Sequence, residues 1–416
     1  METALSTGSG VLVDGGYVVT NAHVVWPYTA VRVVFPDGSE FKDAPIKGWD
    51  LLADVAVIGP IDAPVSALAL VDGEGLAIGT DMFLIGYPGE VEAFPQPTLV
   101  RGLLSRLREW EPGALTFFQT DATIAGGQSG GALVSATGEI IGLSGFGFTE
   151  GDFGLAASSG DLLPLVRDLI AGEAPSRLGE RQVPLAGGSA RHQVHLAHFW
   201  DERAFVISEP PGTSVELRLT GVNDGGITVY DAAGGEALFV DDAFTGAEAG
   251  SFTIEYDEPH FVVAWQLSED SGSFTLASNR PLIPLHDEDD GQELRVGESV
   301  LANIDFPGDI DYFVIRLAGG ETVSITAQSA LADTFLTIDY LGASAAQVIV
   351  DDDSGGGLFG LDAAVVYRAA HAGSYFVIVE DVAGGAPGGY VLGVSRAGAD
   401  AVLTRTTLES LSTDTP

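Results

Sequence analysis

The sequence predicts an all-β protein of several domains, and three observations predict it. Short runs rich in Val, Ile, Phe and Tyr alternate with Gly/Asp turns along the whole chain, in which Gly 55 and Pro 20 are spread throughout. Helix signals are few. Downstream, one ordered series of strand-like segments occurs twice.

Taken in order, the strands expected early in the chain lie at residues 10–13, 17–20, 31–35, 55–58, 82–85 and 139–143. One helix is expected at residues 161–171: residues 158–160 offer caps, Pro164 sits in the first turn, Leu162, Leu165, Val166, Leu169 and Ile170 form an apolar stripe, and Gly172 ends it. Residues 172–177 then lose all apolar periodicity, which marks a domain boundary.

Beyond the boundary, Ala204-Phe205-Val206-Ile207 recurs as Tyr312-Phe313-Val314-Ile315, and Ile227-Thr228-Val229-Tyr230 as Leu336-Thr337-Ile338-Asp339. Phe239-Val240-Asp241-Asp242 recurs as Ile349-Val350-Asp351-Asp352, His260-Phe261-Val262-Val263 as Tyr375-Phe376-Val377-Ile378, and Ser273-Phe274-Thr275-Leu276 as Gly389-Tyr390-Val391-Leu392. Two similar β-sandwiches account for the conserved order. The expected organisation is a first domain over 1–172, a linker at 173–185, a sandwich over 186–280, an acidic linker at 281–297, a second sandwich over 298–397 and a flexible tail at 398–416.

Charge and composition narrow the function classes. The 416 residues carry Lys+Arg 18 against Asp+Glu 59, a net charge of −41, which removes nucleic acid and anionic membrane surfaces as partners. Residues 1–171 hold 7 basic and 21 acidic side chains and residues 172–416 hold 11 and 38, so the excess acid lies downstream. Hydrophobic residues at 46% are enough for packed cores. With Cys 0 there are no disulfides, thiolate metal sites or cysteine nucleophiles. No segment reaches the roughly 18 apolar residues of a membrane span, and no basic start followed by an apolar run signals export. The acid excess fits either a halophilic surface, in keeping with Lys at Lys42 and Lys47 alone, or an anti-aggregation surface for export.

Three patterns in the first domain point to one chemistry. His23 follows a strand in Thr20-Asn21-Ala22-His23-Val24-Val25, Asp54 opens the apolar run 54–58, and Ser129 sits within Gly126-Gly127-Gln128-Ser129-Gly130-Gly131. Singly, these read as a core histidine, a turn aspartate and a glycine turn. Together and in order they supply what a serine nucleophile needs: an imidazole to take its proton, and a carboxylate to hold that imidazole. The glycines allow φ > 0, so the Gly127 and Ser129 amides can point at one oxyanion.

Residues 8–171 resemble the trypsin-like serine peptidases of the HtrA/Deg type. The matching stretches are Gly8 to Val13, Tyr17 to Val25, Asp54 to Ile58, Ile85 to Gly89, Arg101 to Ser105, Gln119 to Ala122, Gly127 to Leu133, Gly138 to Gly142 and Phe153 to Ser158. The resemblance implies a trypsin-like double β-barrel, to be followed by the two small β-sandwich domains. It also implies His23 as general base, Asp54 as its orienter, Ser129 as nucleophile, and the Gly127 and Ser129 amides as the oxyanion hole. It implies no required cofactor. Two departures stand out: only seven residues precede Gly8 where such peptidases carry another strand, so the first barrel is expected to be incomplete, and Gln128 replaces the usual asparagine. No PDZ domain follows. By analogy the primary pocket is formed by Thr123 at its base and Gly145, Phe146 and Gly147 on its wall, with no carboxylate among them, so small or medium aliphatic or aromatic P1 residues are expected over Arg/Lys. Asp121 or Asp152, nearby in sequence, could reach into the pocket.

Residues 298–396 resemble the bacterial pre-peptidase C-terminal (PPC) domain, on Gly308-Asp309-Ile310-Asp311-Tyr312-Phe313, Gly319-Gly320-Glu321, Asp351-Asp352-Asp353-Ser354, Gly373 to Val377 and Gly389-Tyr390. The copy at 186–279 is a degenerate version. The resemblance implies an accessory binding or solubility role in an extracytoplasmic setting, with any signal peptide absent from this chain. Some such domains bind Ca²⁺, and Asp309, Asp311, Asp351, Asp352 and Asp353 would be its oxygen ligands; the other reading of these residues is ordinary β-turn chemistry. His192, His195 and His198 fall on a strand that turns His195 away from the other two, against a metal site. The functional expectation is an exported serine endopeptidase acting on protein or peptide substrates, with oligomeric state undetermined. The alternative is a catalytically impaired peptidase-fold adhesion or binding protein, and a third reading is self-cleavage in the linker near 172–186.

Overall fold

The computed structural model describes residues 1, 6–73, 75–89, 96–148, 153–172, 188–242, 246–285, 289–330, 332–340, 348–357, 360–382, 388–398 and 401–404. The chain divides into two compact units, Met1–Pro184 and Leu185–Pro416.

The first unit is a double β-barrel. Strands β1 (Val11–Val13), β2 (Tyr17–Thr20), β3 (Ala30–Val34), β4 (Glu40–Asp50) and β5 (Val55–Ile58) form one sheet in the order β1-β2-β5-β4-β3, open between β1 and β3 among the described residues. Helix α1 (Ala22–Val25) is a single turn after β2. Strands β6 (Asp81–Gly86), β7 (Thr98–Trp110), β8 (Leu115–Thr120), β9 (Ala132–Ser135), β10 (Ile140–Phe148) and β11 (Phe153–Ser158) close a second barrel in the order β10-β11-β8-β7-β6-β9. Its centre is filled by Met82, Leu104, Phe118, Leu133, Ile141 and Ala156. Helix α2 (Ser159–Ala171) follows. Ser158 caps it by accepting the Gly160 amide, Gly172 ends it in the left-handed region at φ 80°, and Leu162, Leu165, Val166 and Leu169 are buried.

The second unit holds the two copies of the repeat. In the first copy, strands 236–240, 225–230, 260–266 and 203–207 are neighbours in that order; in the second, 349–351, 334–340, 373–381 and 311–317 are. The facing layers correspond as well. Strands 272–284, 214–221 and 247–253 of the first copy match 388–396, 322–329 and 363–368 of the second, with 189–196 and 299–304 on the outer edges of the long strands. In the first copy Gly272–Pro284 runs on to pair with Phe205 and Val206, joining its two layers. In the second, Gln292–Leu294 takes the equivalent edge as a parallel neighbour of Asp311–Leu317.

The stretch expected as an acidic linker is thus partly strand, and Asp289 and Asp290 are engaged, while Asp287 and Glu288 lie outside the described residues. Asp289 Oδ2 accepts the Asn303 amide at 2.7 Å, and Asp290 accepts the Tyr312 amide at 3.1 Å while pairing with Arg203 at 3.5 Å. Between the copies, the Ile310 amide donates to Glu202 Oε1 at 3.1 Å, and His198 packs its ring 4.4 Å from those of Tyr312 and Phe376. Of the expected tail, Thr404 is bonded to Val366 in both directions, and residues 405–416 lie outside the described residues.

The calcium candidates do not converge on a cation. Asp309 Oδ2 accepts the Asp305 amide at 2.6 Å, Asp311 Oδ2 accepts the Tyr390 hydroxyl at 2.5 Å, and Asp351 Oδ2 accepts the amides of Ser354 and Ala364. Asp352 Oδ1 accepts the Asp353 amide. These carboxylates brace turns and strand ends, and among the described residues no group of three or more His, Asp or Glu is disposed to hold a metal. His192 and His195 are likewise apart, the first beside the Ser189 and Leu282 carbonyls and the second beside Ser273 Oγ. We therefore expect millimolar calcium or a chelator to leave the melting temperature unchanged in calorimetry; a calcium-dependent rise would restore the calcium reading. Leu169 is fully buried in α2, so Leu169→Ala is expected to cost about 2–5 kcal/mol in urea unfolding, with a loss under about 1 kcal/mol contradicting the packing described.

Candidate active site

His23, Asp54 and Ser129 come from three places in the first unit: α1, the residue ahead of β5, and the loop between β8 and β9. Asp54 is 5% exposed and has a left-handed φ of 50°, a conformation uncommon outside glycine and least so for Asp and Asn. Three hydrogen bonds follow from this placement. Asp54 Oδ2 meets His23 Nδ1 at 2.8 Å, Oδ1 accepts the His23 amide at 3.0 Å, and the Asp54 carbonyl accepts Asn21 Nδ2–H at 2.9 Å. A carboxylate only accepts, so Nδ1 carries the shared proton and, in the neutral ring, the lone pair is on Nε2.

Ser129 reaches the pair through Gly145. Its hydroxyl donates to the Gly145 carbonyl at 3.3 Å, long for an O–H donor and so weakly held. An atom at the Cβ position of Gly145 would lie 3.8 Å from Asn21 Nδ2 and 3.9 Å from Asp54 Oδ2. β10 breaks register between Ser144 and Phe146 against β11, a bulge that turns the Gly145 carbonyl toward the serine. Gly130, at φ 80°, has no room for a side chain: a Cβ there would collide with Ser9 O and Thr20 Oγ1, which puts the serine's neighbour directly against the strand leading to His23.

The serine loop is built around Gly127. Its φ of 88° and the closeness of Gly89 N and Tyr87 O, the latter 2.8 Å from where a Cβ would be, exclude any other residue without a shift. Among the described residues, neither the Gly127 nor the Ser129 amide donates to a protein acceptor. Gln128 is buried and ties the loop to the second barrel, its Oε1 accepting the Ala125 amide at 2.7 Å and its Nε2 donating to Thr98 Oγ1 at 2.8 Å.

Of the expected pocket residues, Thr123 is exposed, Gly145 lines the space between serine and Asp54, and Phe146 and Gly147 continue β10 opposite Leu155 and Gly154. Asp121 is committed elsewhere, accepting the Leu103 amide at 2.6 Å. Asp152 lies outside the described residues. Sequence reasoning missed Ile124, whose Cγ1 and Cδ1 lie 2.7 and 2.8 Å from the Cβ position of Gly154 and so fill the space a side chain there would take. It also missed the holding residues Ser9, Asn21 and Ser144, all buried and polar. A polar residue next to an apolar strand was the available signal for Asn21; the other two bond carbonyls remote in sequence and gave none.

Burial pulls the His23 pKa down, but the charge of Asp54 and its hydrogen bond together push it above the ordinary 6.5. The folded state therefore favours the protonated ring. Its contribution to stability is complete below the unfolded value and is lost as pH rises through the raised one. NMR titration of His23 should give a midpoint above 6.5, and Asp54→Asn, which leaves burial as the main influence, should move it below; a midpoint unmoved by Asp54→Asn would contradict the pairing.

Comparison with known proteins places this unit. Residues 8–143 match the trypsin-like peptidase domain family. Over 150 residues the chain is 39% identical to the periplasmic serine endoprotease DegP of Escherichia coli K12, covering 34% of this chain and 30% of that one. It is 38% identical over 159 residues to serine protease HTRA1B of Danio rerio, covering 36% and 32%. Among solved structures, an HtrA-type protease AlgW with a decapeptide is similar at 31% identity and a TM-score of 0.37, covering 40% of this chain and 52% of that one. The matched part thus spans about a third of the length of these two curated relatives.

Proposed function

We propose that the chain is an exported serine endopeptidase that cleaves peptide bonds through an acyl-enzyme, with the downstream sandwiches as accessory binding modules. The observation that carries this is the buried Asp54 carboxylate bonded to both the ring and the amide of His23, together with a serine loop in which two amides are unspent among the described residues. One relative is named a serine endoprotease and the other a serine protease, and this supports a serine peptidase here.

In the proposed reaction Ser129 Oγ attacks the substrate carbonyl as its proton passes to His23 Nε2, and Asp54 steadies the imidazolium. The carbonyl oxygen becomes an oxyanion facing the Gly127 and Ser129 amides, which have no other acceptor to give up among the described residues. Collapse breaks the C–N bond, and the leaving amine takes the proton from His23. Water then attacks the ester with His23 again as base, releasing the acid and restoring Ser129. These groups come from the chain itself, so the chemistry requires no cofactor.

For the primary pocket, Ile124 over Gly154 and the commitment of Asp121 to Leu103 support small aliphatic P1 residues. None of Thr123, Gly145, Phe146 and Gly147 supplies a carboxylate to pair a guanidinium or ammonium buried there. An extracytoplasmic location is favoured by the periplasmic homologue and the acidic surface; no described helix is long and apolar enough to cross a membrane. The PPC resemblance supports surface or substrate binding for the sandwiches.

A peptide library digested with wild type and Ser129→Ala tests the reading. Cleavage after Ala, Val or similar residues, lost by at least about 10⁴-fold in the variant, is expected. Cleavage after Arg/Lys would contradict the pocket, and equal cleavage by the two proteins would contradict the nucleophile.

A further inference from the structure

We propose that Ser9 is a positioning residue for the loop that presents the Gly127 and Ser129 amides, an inference that rests on the peptidase reading above. Four consecutive carbonyls of this loop are held. Gly126 O accepts the Gly89 amide at 2.8 Å, Gly127 O accepts Ser9 Oγ–H at 2.8 Å, Gln128 O accepts Ser144 Oγ–H at 2.6 Å, and Ser129 O accepts the Ser9 amide at 2.7 Å. The donors alternate between barrels. Gly89 follows β6 and Ser144 lies in β10, both of the second barrel, whereas Ser9 precedes β1 of the first.

In a trans peptide the carbonyl and the following N–H point in opposite directions, so pinning one aims the other. The Gly126 and Gln128 carbonyls thereby aim the Gly127 and Ser129 amides. Ser9 fixes the two peptides interleaved with them, on either side of Gln128 and Ser129. Without it the peptide after Gly127 is held only through the Gln128 amide on the Ala125 carbonyl at 3.0 Å, at a residue whose φ of 88° has no side-chain barrier to turning.

The Ser9 hydroxyl has its own orientation set. It is 1% exposed and accepts the Tyr87 amide at 2.8 Å, which leaves its proton for Gly127 O. The Ser9 carbonyl accepts Thr20 Oγ1–H at 2.8 Å, at the end of β2 and three residues before His23. One residue thus connects the strand that carries the base to the loop that carries the nucleophile.

Ser9→Ala removes the hydroxyl and leaves the fold's apolar packing in place. With the best library peptide, kcat is expected to fall about ten- to a hundredfold, less than the 10²–10³ typical of deleting an oxyanion donor outright. KM should stay within about twofold and the pH midpoint should not move, since the His23–Asp54 pair is untouched. Ser9→Thr, which keeps the hydroxyl, should recover most of the rate. A purely structural role would instead lower the melting temperature with no selective loss of kcat. Wild-type kcat in folded Ser9→Ala, or a shifted pH midpoint, overturns the proposal. Should Ser9→Ala not fold, Thr20→Val, which unhooks Ser9 from β2, must show a smaller loss of the same kind, and unchanged kcat there overturns it equally. Wild type without Ser129-dependent hydrolysis would overturn the peptidase reading itself, whereas active wild type with an equally active Ser9→Ala overturns this inference alone.

Discussion

The site depends on one buried carboxylate. Asp54 is almost removed from water, and its two oxygens are taken by the ring and the amide of the same residue, His23. A buried charge without such partners would be costly, so the pair forms as a unit or not at all. The left-handed φ of Asp54 is the local cost of aiming the carboxylate back at α1, and the Asn21 side chain on its carbonyl keeps the turn in that state. Ring orientation, tautomer and the raised pKa of His23 all follow from this contact.

A second constraint sets where the serine sits relative to that pair. The two barrels meet along the segment ahead of β1, the end of β2 and the serine loop, and the fit is too close for any side chain at Gly130. Backbone polar groups in such a seam must find partners. Ser9, Thr20 and Ser144 supply them with short hydroxyls, and Gln128 does so with a longer amide that reaches Thr98. The replacement of the expected asparagine by Gln128 is accommodated in this way, without altering the triad.

Much of this was legible in the sequence, because the signals were local. The helix expected at 161–171 is found at Ser159–Ala171 with the expected Ser and Gly at its ends, and the five repeated segments, read as two similar β-sandwiches, take corresponding places in the two copies, though the first copy is one continuous eight-stranded sheet and the second is two sheets. His23, Asp54 and Ser129 were singled out from short-range pattern; the structure pairs the first two and places Ser129 in the loop between β8 and β9. What was not legible depends on distance. Ser9 and its acceptor Gly127 are 118 positions apart, and nothing in Gly8-Ser9-Gly10 announces the partner. Aspartates near Gly misled in the other direction: turn-bracing and cation-binding carboxylates have the same sequence signature, and only their partners, such as Tyr390 on Asp311, tell them apart.

The acidic second unit adds two copies of one sandwich topology, joined within the unit by Glu202, His198 and their partners on the second copy. The central claim, an assembled nucleophile and oxyanion site, is tested most directly by reacting the folded chain with a fluorophosphonate and mapping the adduct by mass spectrometry. The account predicts a single adduct at Ser129 that is lost in His23→Ala. A folded, unlabelled wild type, or labelling that survives His23→Ala, would contradict it.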